Sequence, residues 1–309
     1  MRPYNLAIHH AEALLAAGNW AAAIEPLRDA LTAAPQEAYP HLLLARALRQ
    51  QGRLTGARYE ADRAVEHAPL WHLAHLELAQ ILLAQQHERA ALEAADRAIE
   101  LDPEDGIGHL VRAKILRVQG KRAEARASLA AARSLEPNFP PVIAEEGYAA
   151  LEQARMEAVE ASGREILSLN PSNPDGLILL GHAQLARGDV EEALRLALSA
   201  LAHAPTDLDA LYLLASVKMR KSLAGGLFWR WNRLLVKLGE AKAIFFVVGI
   251  FVVYRWALLA SDDLGLPEAV DTLLMVVYLG FVIYTLSASA IVRRMIAKEV
   301  ARVRLNPSF

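Results

Sequence analysis

No cysteine occurs among the 309 residues, which excludes a disulfide framework and any thiolate metal site and fits a reducing compartment. Aromatic residues are scarce, at 6% against 54% hydrophobic residues overall. Alanine and leucine therefore supply the apolar character, and both enter helices at little conformational cost, so the balance favours helix. The opening stretch MRPYNLAIHHAEALLAAGNW holds no apolar run of signal-peptide length, because His9, His10 and Glu12 interrupt it. A phosphate loop, an HExxH zinc motif and a nucleophile elbow are equally missing. With no catalytic constellation in the spacing, an enzyme is not expected, and neither a cofactor nor a metal is expected.

The formal net charge of −2 hides an asymmetry. Residues 1–217 carry 20 Lys and Arg against 29 Asp and Glu, while residues 218–309 carry 13 against 6. An acidic body argues against a nucleic-acid binder, and the basic C-terminal part is expected to meet something anionic.

What the sequence does contain is a period. Pro35, Pro69, Pro103, Pro137, Pro171 and Pro205 are each separated by 34 residues, and a fixed spacing of about 20–50 residues signals a stacked repeat array. Small residues recur at fixed offsets from those prolines: Ala11, Ala45, Ala79, Ala113, Gly147 and Gly181; then Ala23, Ala57, Ala91, Ala125, Val159 and Ala193; then Ala30, Ala64, Ala98, Ala132, Ile166 and Ala200. Small side chains at three offsets let two antiparallel helices approach closely, and each proline ends the second helix.

These columns resemble the tetratricopeptide repeat (TPR) family over residues 4–205. Gly18, Gly52, Gly120 and Gly188 occupy its turn position, from which Gln86 and Ala154 depart, and AIELDP at 98–103 is close to the usual repeat ending. The fifth unit, 140–173, diverges most, with Val159 and Ile166 where alanine is expected. Residues 206–221 read as a closing helix, with Ala215 in the small-residue column and Thr206 or Asp207 as its N-cap. The resemblance implies an all-α superhelical solenoid of six 34-residue helix–turn–helix repeats plus a capping helix, spanning 1–222.

The remainder changes character. After Gly225 and Gly226, residues 223–242 place Leu227, Trp231, Leu234, Leu235 and Leu238 on one helical face and Arg230, Arg233 and Lys237 largely on the other. With Phe228 and Trp229 beside them, this is the pattern of an amphipathic helix lying in a membrane interface, where anionic headgroups would meet its cations. Residues 243–260 and 272–292 are then apolar stretches of 18 and 21 residues; the first carries only Arg255 and the second no charge. About 20 residues at about 1.5 Å each cross a ~30 Å hydrocarbon core. A transmembrane hairpin over 243–292 with loop 261–271 is therefore expected, with Arg255 reaching the interface beside Trp256. Seven cations precede the first stretch, five follow the second in the tail 293–309, and the loop has none. The positive-inside rule then puts both termini and the repeats in the cytoplasm, at the cell membrane, and the alanine-rich, cysteine-free style suggests a bacterium.

Two groups invite functional readings. His41, His75 and His109 recur every 34 residues, but equivalent places in stacked units lie about 10 Å apart, too far to share a metal ion, so packing is expected. Arg46 and Arg49 of unit two and Lys114 and Arg117 of unit four, with Gln80 at the matching place in unit three, fall where the family's concave groove receives partner peptides. Four cations there would suit an acidic or C-terminal carboxylate segment. The family's chaperone-binding clamp does not carry over, because Ile8, Glu12, Leu43, Leu73 and Glu77 occupy its positions. The groove side chains are expected exposed, so reversing Arg49 and Arg117 to Glu is expected to weaken capture and leave stability nearly unchanged, and the many carboxylates are expected to serve solvation. The reading is a membrane-tethered scaffold that recruits a protein partner or assembly intermediate. The alternative is a subunit or assembly factor of a larger membrane complex, bound through its hairpin to other membrane subunits.

Overall fold

The 34-residue period resolves into alternating helices. In the computed structural model, which describes residues 3–205, 207–221, 251–260, 267, 270–276 and 278–279, the order is α1 (Pro3–Ala16), α2 (Ile24–Ala33), α3 (Ala38–Gln50), α4 (Leu54–His67), α5 (His72–Ala84), α6 (Glu88–Leu101), α7 (Gly106–Val118), α8 (Arg122–Leu135), α9 (Pro140–Glu152), α10 (Met156–Leu169), α11 (Pro174–Arg187), α12 (Val190–His203) and α13 (Leu208–Lys221). No strand occurs among the described residues. The repeats are thus helical hairpins, and the expected all-α TPR architecture is the one observed.

The small-residue columns are the hairpin seams. Ala11, Ala23, Ala30, Ala45, Ala57, Ala64 and Ala79 have no exposed surface at all. Side chains that end at Cβ let helix axes approach closely, and the bulkier Leu27, Leu42 and Ile81 fill the space beside them.

Each hairpin turns through a left-handed residue. Gly18 and Gly52 have φ +72°, Gly120 +75° and Gly188 +103°. The residue after each donates its N–H to the carbonyl five residues back, as from Asn19 to Leu14 (2.8 Å) and from Arg53 to Leu48 (2.9 Å), which is the Schellman closure of a helix. Gln86 and Ala154, the two departures from glycine, adopt the same backbone at φ +65° and +54°. The turn geometry is therefore imposed by the hairpin, and a Cβ is carried there at a cost.

The periodic histidines do more than the expected packing. Nε2 of His41, His75 and His109 donates to the carbonyl of Pro35, Pro69 and Pro103 at 3.1, 2.9 and 3.2 Å. Each ring thereby satisfies a carbonyl at the end of one repeat from the first helix of the next. His41, the buried one, also stacks on His67 with ring centroids 5.4 Å apart.

The chain divides into two compact units, Met1–Gln153 and Ala154–Phe309, and the division falls in the turn of the fifth repeat. In the first unit α3 packs on α5, α5 on α7 and α7 on α9, while the even helices fill the spaces between them. In the second unit α11 packs on both α10 and α12, and α13 closes against α11 and α12. Asp207 caps α13 as expected, its Oδ1 accepting from the Ala210 N–H at 2.9 Å. The oversized Ile166 of the fifth repeat is accommodated by Gly176 of α11: a Cβ there would lie 2.9 Å from Ile166 Cγ2. Bulk lost on one helix is returned by its neighbour.

Candidate functional site

The odd helices of the first unit carry the expected groove residues on successive members: Arg46 and Arg49 on α3, Gln80 on α5, Lys114 and Arg117 on α7. All five side chains are half-buried. Arg46 and Arg49 converge on Glu77 of α5, their Nε atoms donating to Oε2 at 3.3 Å and to Oε1 at 2.6 Å. Glu77 is only 1% exposed. A carboxylate without water needs charged donors to replace its hydration, and the two guanidiniums supply them.

The arrangement repeats 68 residues on. Arg117 donates from Nε to Glu145 Oε1 at 2.5 Å, and Glu145 is also buried. Nη1 of Arg117 binds a second carboxylate, Glu152, at the end of α9. Burial acts to lower the Arg117 pKa, but Glu145 and Glu152 outweigh it and the net shift is upward. Lys114, in the register of Arg46, has no partner among the described residues.

Two expectations need correction. Arg49 and Arg117 are not free groove cations, with side chains 19% and 28% exposed and committed to buried glutamates. Reversing either to Glu would set a second carboxylate against Glu77 or Glu145, so stability would fall instead of staying unchanged. Nor do all carboxylates serve solvation. Glu77, Glu145 and Glu160 are buried, and Glu160 in the second unit is held by Arg164 at 2.6 Å and Arg187 at 2.9 Å.

Beside Arg46 lies a polar aromatic cluster that no repeat period marks in the sequence. The Tyr39 hydroxyl donates to Glu12 Oε1 at 2.7 Å, and the Tyr39 ring leans on Trp71 with centroids 6.2 Å apart. Burial, reinforced by the bond to Glu12, pushes the Tyr39 phenol up to about 12, so it stays a donor. In the second unit His182 of α11 takes the same repeat register as Gln80, and burial pushes its pKa down to about 4. A neutral imidazole results, with no carboxylate paired to it among the described residues.

The expected membrane-interface residues Phe228, Trp229, Arg230, Trp231, Arg233 and Lys237 lie outside the described residues, as does the tail 293–309. The expected spans 243–260 and 272–292 are described over 251–260, 272–276 and 278–279. Among the described residues no helix is long and apolar enough to cross a membrane. Arg255 and Trp256 are both exposed on the helix 251–260. Its Tyr254 stacks on Tyr278 with centroids 4.3 Å apart and planes 6° from parallel, and Phe251 lies 6.0 Å from the same ring. The described parts of the two apolar stretches therefore touch. They also expose large apolar side chains, among them Val253 at 69%, Trp256 at 72% and Leu273 at 62%.

Comparison with known proteins agrees with the repeat fold. Residues 9–70 and 76–142 match one family model described as tetratricopeptide repeat, and residues 174–199 match a second of the same description. The matched segments leave out most of the divergent fifth repeat. Similar folds are found in PilW, a widely conserved type IV pilus biogenesis factor (18% identity over 69% of this chain and 99% of that one, TM-score 0.55). They are found also in the Cut9–Hcn1 hetero-tetramer of APC/C (15%, 71% and 50%, 0.55) and in PilF of Pseudomonas aeruginosa (20%, 67% and 95%, 0.50). At such identities the likeness is one of fold. No curated protein matches the chain.

Proposed function

Because this chain carries tetratricopeptide repeats, modules that mediate protein–protein interaction, we propose that it is a membrane-tethered scaffold that holds a protein partner on the wall formed by α3, α5 and α7 of its first unit. The observation that carries the tether is the pair of apolar stretches, whose described parts meet through Tyr254 and Tyr278 and turn large apolar side chains outward. Soluble proteins seldom leave such side chains clustered in the open, whereas lipid would cover them. The cations before the first stretch and after the second, with none in the loop between, support a cytoplasmic placement of both termini and of the repeats. The basic approach, 223–242, would rest on anionic headgroups.

The partner side rests on the wall itself. Arg46, Gln80 and Lys114 line successive helices at one register, with Tyr39 and Trp71 beside them, a mixture of charge and amphipathic aromatic surface suited to an extended acidic segment.

Two measurements test the two halves. A reporter active only outside the cytoplasm should be silent when fused after Phe309 and active when inserted at Gly265; the opposite pattern would end the proposed orientation. Crosslinked partners should be recovered with the full chain and lost when residues 1–222 are deleted. Recovery of the same membrane subunits without the repeats would instead make the hairpin the binding element, as in a complex subunit or assembly factor.

A further inference from the structure

The two arginine stations of the first unit are the same device in two states. Arg49 and Arg117 stand 68 residues apart, as do their buried partners Glu77 and Glu145 and the neighbouring cations Arg46 and Lys114. The helices that carry them correspond end to end: α3 with α7 and α5 with α9, each of 13 residues. In both stations the arginine Nε donates to the buried glutamate, at 2.6 and 2.5 Å, which fixes the plane of the guanidinium. Two differences separate them: Arg46 also donates to Glu77, where its equivalent Lys114 leaves Glu145 to Arg117 alone, and the last residue of the neighbouring helix is not the same. At Arg117 that residue is Glu152, and its carboxylate sits on the outward Nη1. At Arg49 it is Ala84, which is exposed and has no carboxylate to offer.

We propose that Arg46 and Arg49 form a preorganised receptor for a glutamate side chain of a partner's acidic segment, and that Glu152 shows, within the same molecule, how that glutamate sits. Charge separates the two states. With the neighbouring cation counted in each, the Arg46–Arg49–Glu77 station stands at +1, whereas Lys114 and Arg117 with Glu145 and Glu152 stand at 0. No carboxylate besides Glu77 pairs with Arg46 or Arg49 among the described residues. Arg46 keeps 40% of its side chain exposed and Arg49 19%, so the N–H groups within reach of a ligand are chiefly those of Arg46. A buried carboxylate that orients a guanidinium removes part of the ordering cost a free arginine would bear on binding. The occupant is a side-chain carboxylate because the internal stand-in is one. The station deepens the proposed partner-binding wall and rests on that reading.

The test exploits the equivalence. Ala84→Glu should supply the missing carboxylate from within and close the station, and Glu152→Ala should open its counterpart. The full chain in uncharged detergent is titrated with a fluorescent hexaglutamate peptide, acetylated and amidated, with hexaglutamine as control. Wild type should bind hexaglutamate saturably and hexaglutamine at least tenfold more weakly. Ala84→Glu should lose at least tenfold in affinity with no fall in Tm, Ala84→Gln should stay within threefold of wild type, and Glu152→Ala should bind a second equivalent of peptide. Equal hexaglutamate binding by wild type and Ala84→Glu would overturn the proposal and assign the peptide to other cations, the basic C-terminal part foremost. A preference for a neutral peptide with a free C-terminal carboxylate over hexaglutamate would overturn the choice of a side chain. Partner capture from membranes is measured alongside. If Ala84→Glu loses hexaglutamate but still captures the partner, the station stands as a carboxylate site and the wall is not where the partner binds.

Discussion

Arg49 holds Glu77 across a repeat boundary, and the two side chains are matched as a pair. The residue 28 places after the Arg49 register changes character together with it throughout the first unit. Leu15 answers to Leu43 and Leu83 to Val111, each pair within one apolar cluster, while Arg49 answers to Glu77 and Arg117 to Glu145. Leu185 and Leu213 do the same in the second unit. One inter-repeat contact is thus built either from two apolar residues or from an ion pair, and never from one of each.

Breaking one ionic pair should therefore cost far more than replacing it. Arg49→Leu leaves Glu77 buried with the weaker Arg46 contact alone, and a loss of about 3 kcal/mol is expected. Arg49→Leu with Glu77→Val recreates the Leu83–Val111 solution and should lie within about 1 kcal/mol of wild type. Denaturant unfolding of the four proteins measures the coupling, and additive losses would show that the pair is not matched.

The turn residues offer stabilising changes. Gln86 and Ala154 hold left-handed backbone that glycine adopts at four equivalent turns. Relief of that strain exceeds the extra chain entropy of glycine, so Gln86→Gly and Ala154→Gly should each add about 0.5–1 kcal/mol. The reverse change, Gly120→Ala, should remove about 1 kcal/mol, although nothing lies within 4 Å of the added methyl. Thermal midpoints of the three variants decide the sign.

Gly176 and Ile166 should be coupled. In an open helix Gly→Ala is favourable by about 1 kcal/mol, yet here the methyl would stand 2.9 Å from Ile166 Cγ2. Gly176→Ala is expected to destabilise by about 1–3 kcal/mol through overpacking. Combined with Ile166→Ala it restores the small pair found at Ala200 and Ala210, both fully buried. The double variant should be at least about 1 kcal/mol more stable than the sum of the singles.

His182 makes stability depend on pH. Its pKa falls from 6.5 to about 4 on folding, so between those values the unfolded chain binds the proton and the folded chain does not. Stability contributed by the neutral ring is whole above pH 6.5 and declines as the pH drops toward 4. Because the ring keeps some surface exposure, the loss is expected near 2 kcal/mol, less than the full shift implies. His182→Gln should flatten the stability profile across that window, and a profile unchanged by the substitution would remove His182 from the account.

Much of the molecule was determined by the sequence alone, because its causes are local. Proline every 34 residues stops a helix, alanine in three columns permits close approach, and Asp207 caps α13 through its own neighbours; each acts within a turn or two of chain. The periodic histidines were visible too, but their hydrogen bonds to the proline carbonyls were not, since a ring that packs and a ring that donates share one pattern. The fate of the charges was decided only by the tertiary structure. Arg49 and Glu77 are 28 residues apart, and each alone has the helical signature of a solvated surface residue. Stacking α3 on α5 brings them into one dry contact, and low local polarity then makes their pairing obligatory. The equivalent stacking of α7 and α9 puts Glu152 on Arg117, where the corresponding last residue of α5 is Ala84. Whether a repeated arginine is filled or open depends on which side chain a neighbouring helix delivers to it, and that is a property of packed faces, not of composition.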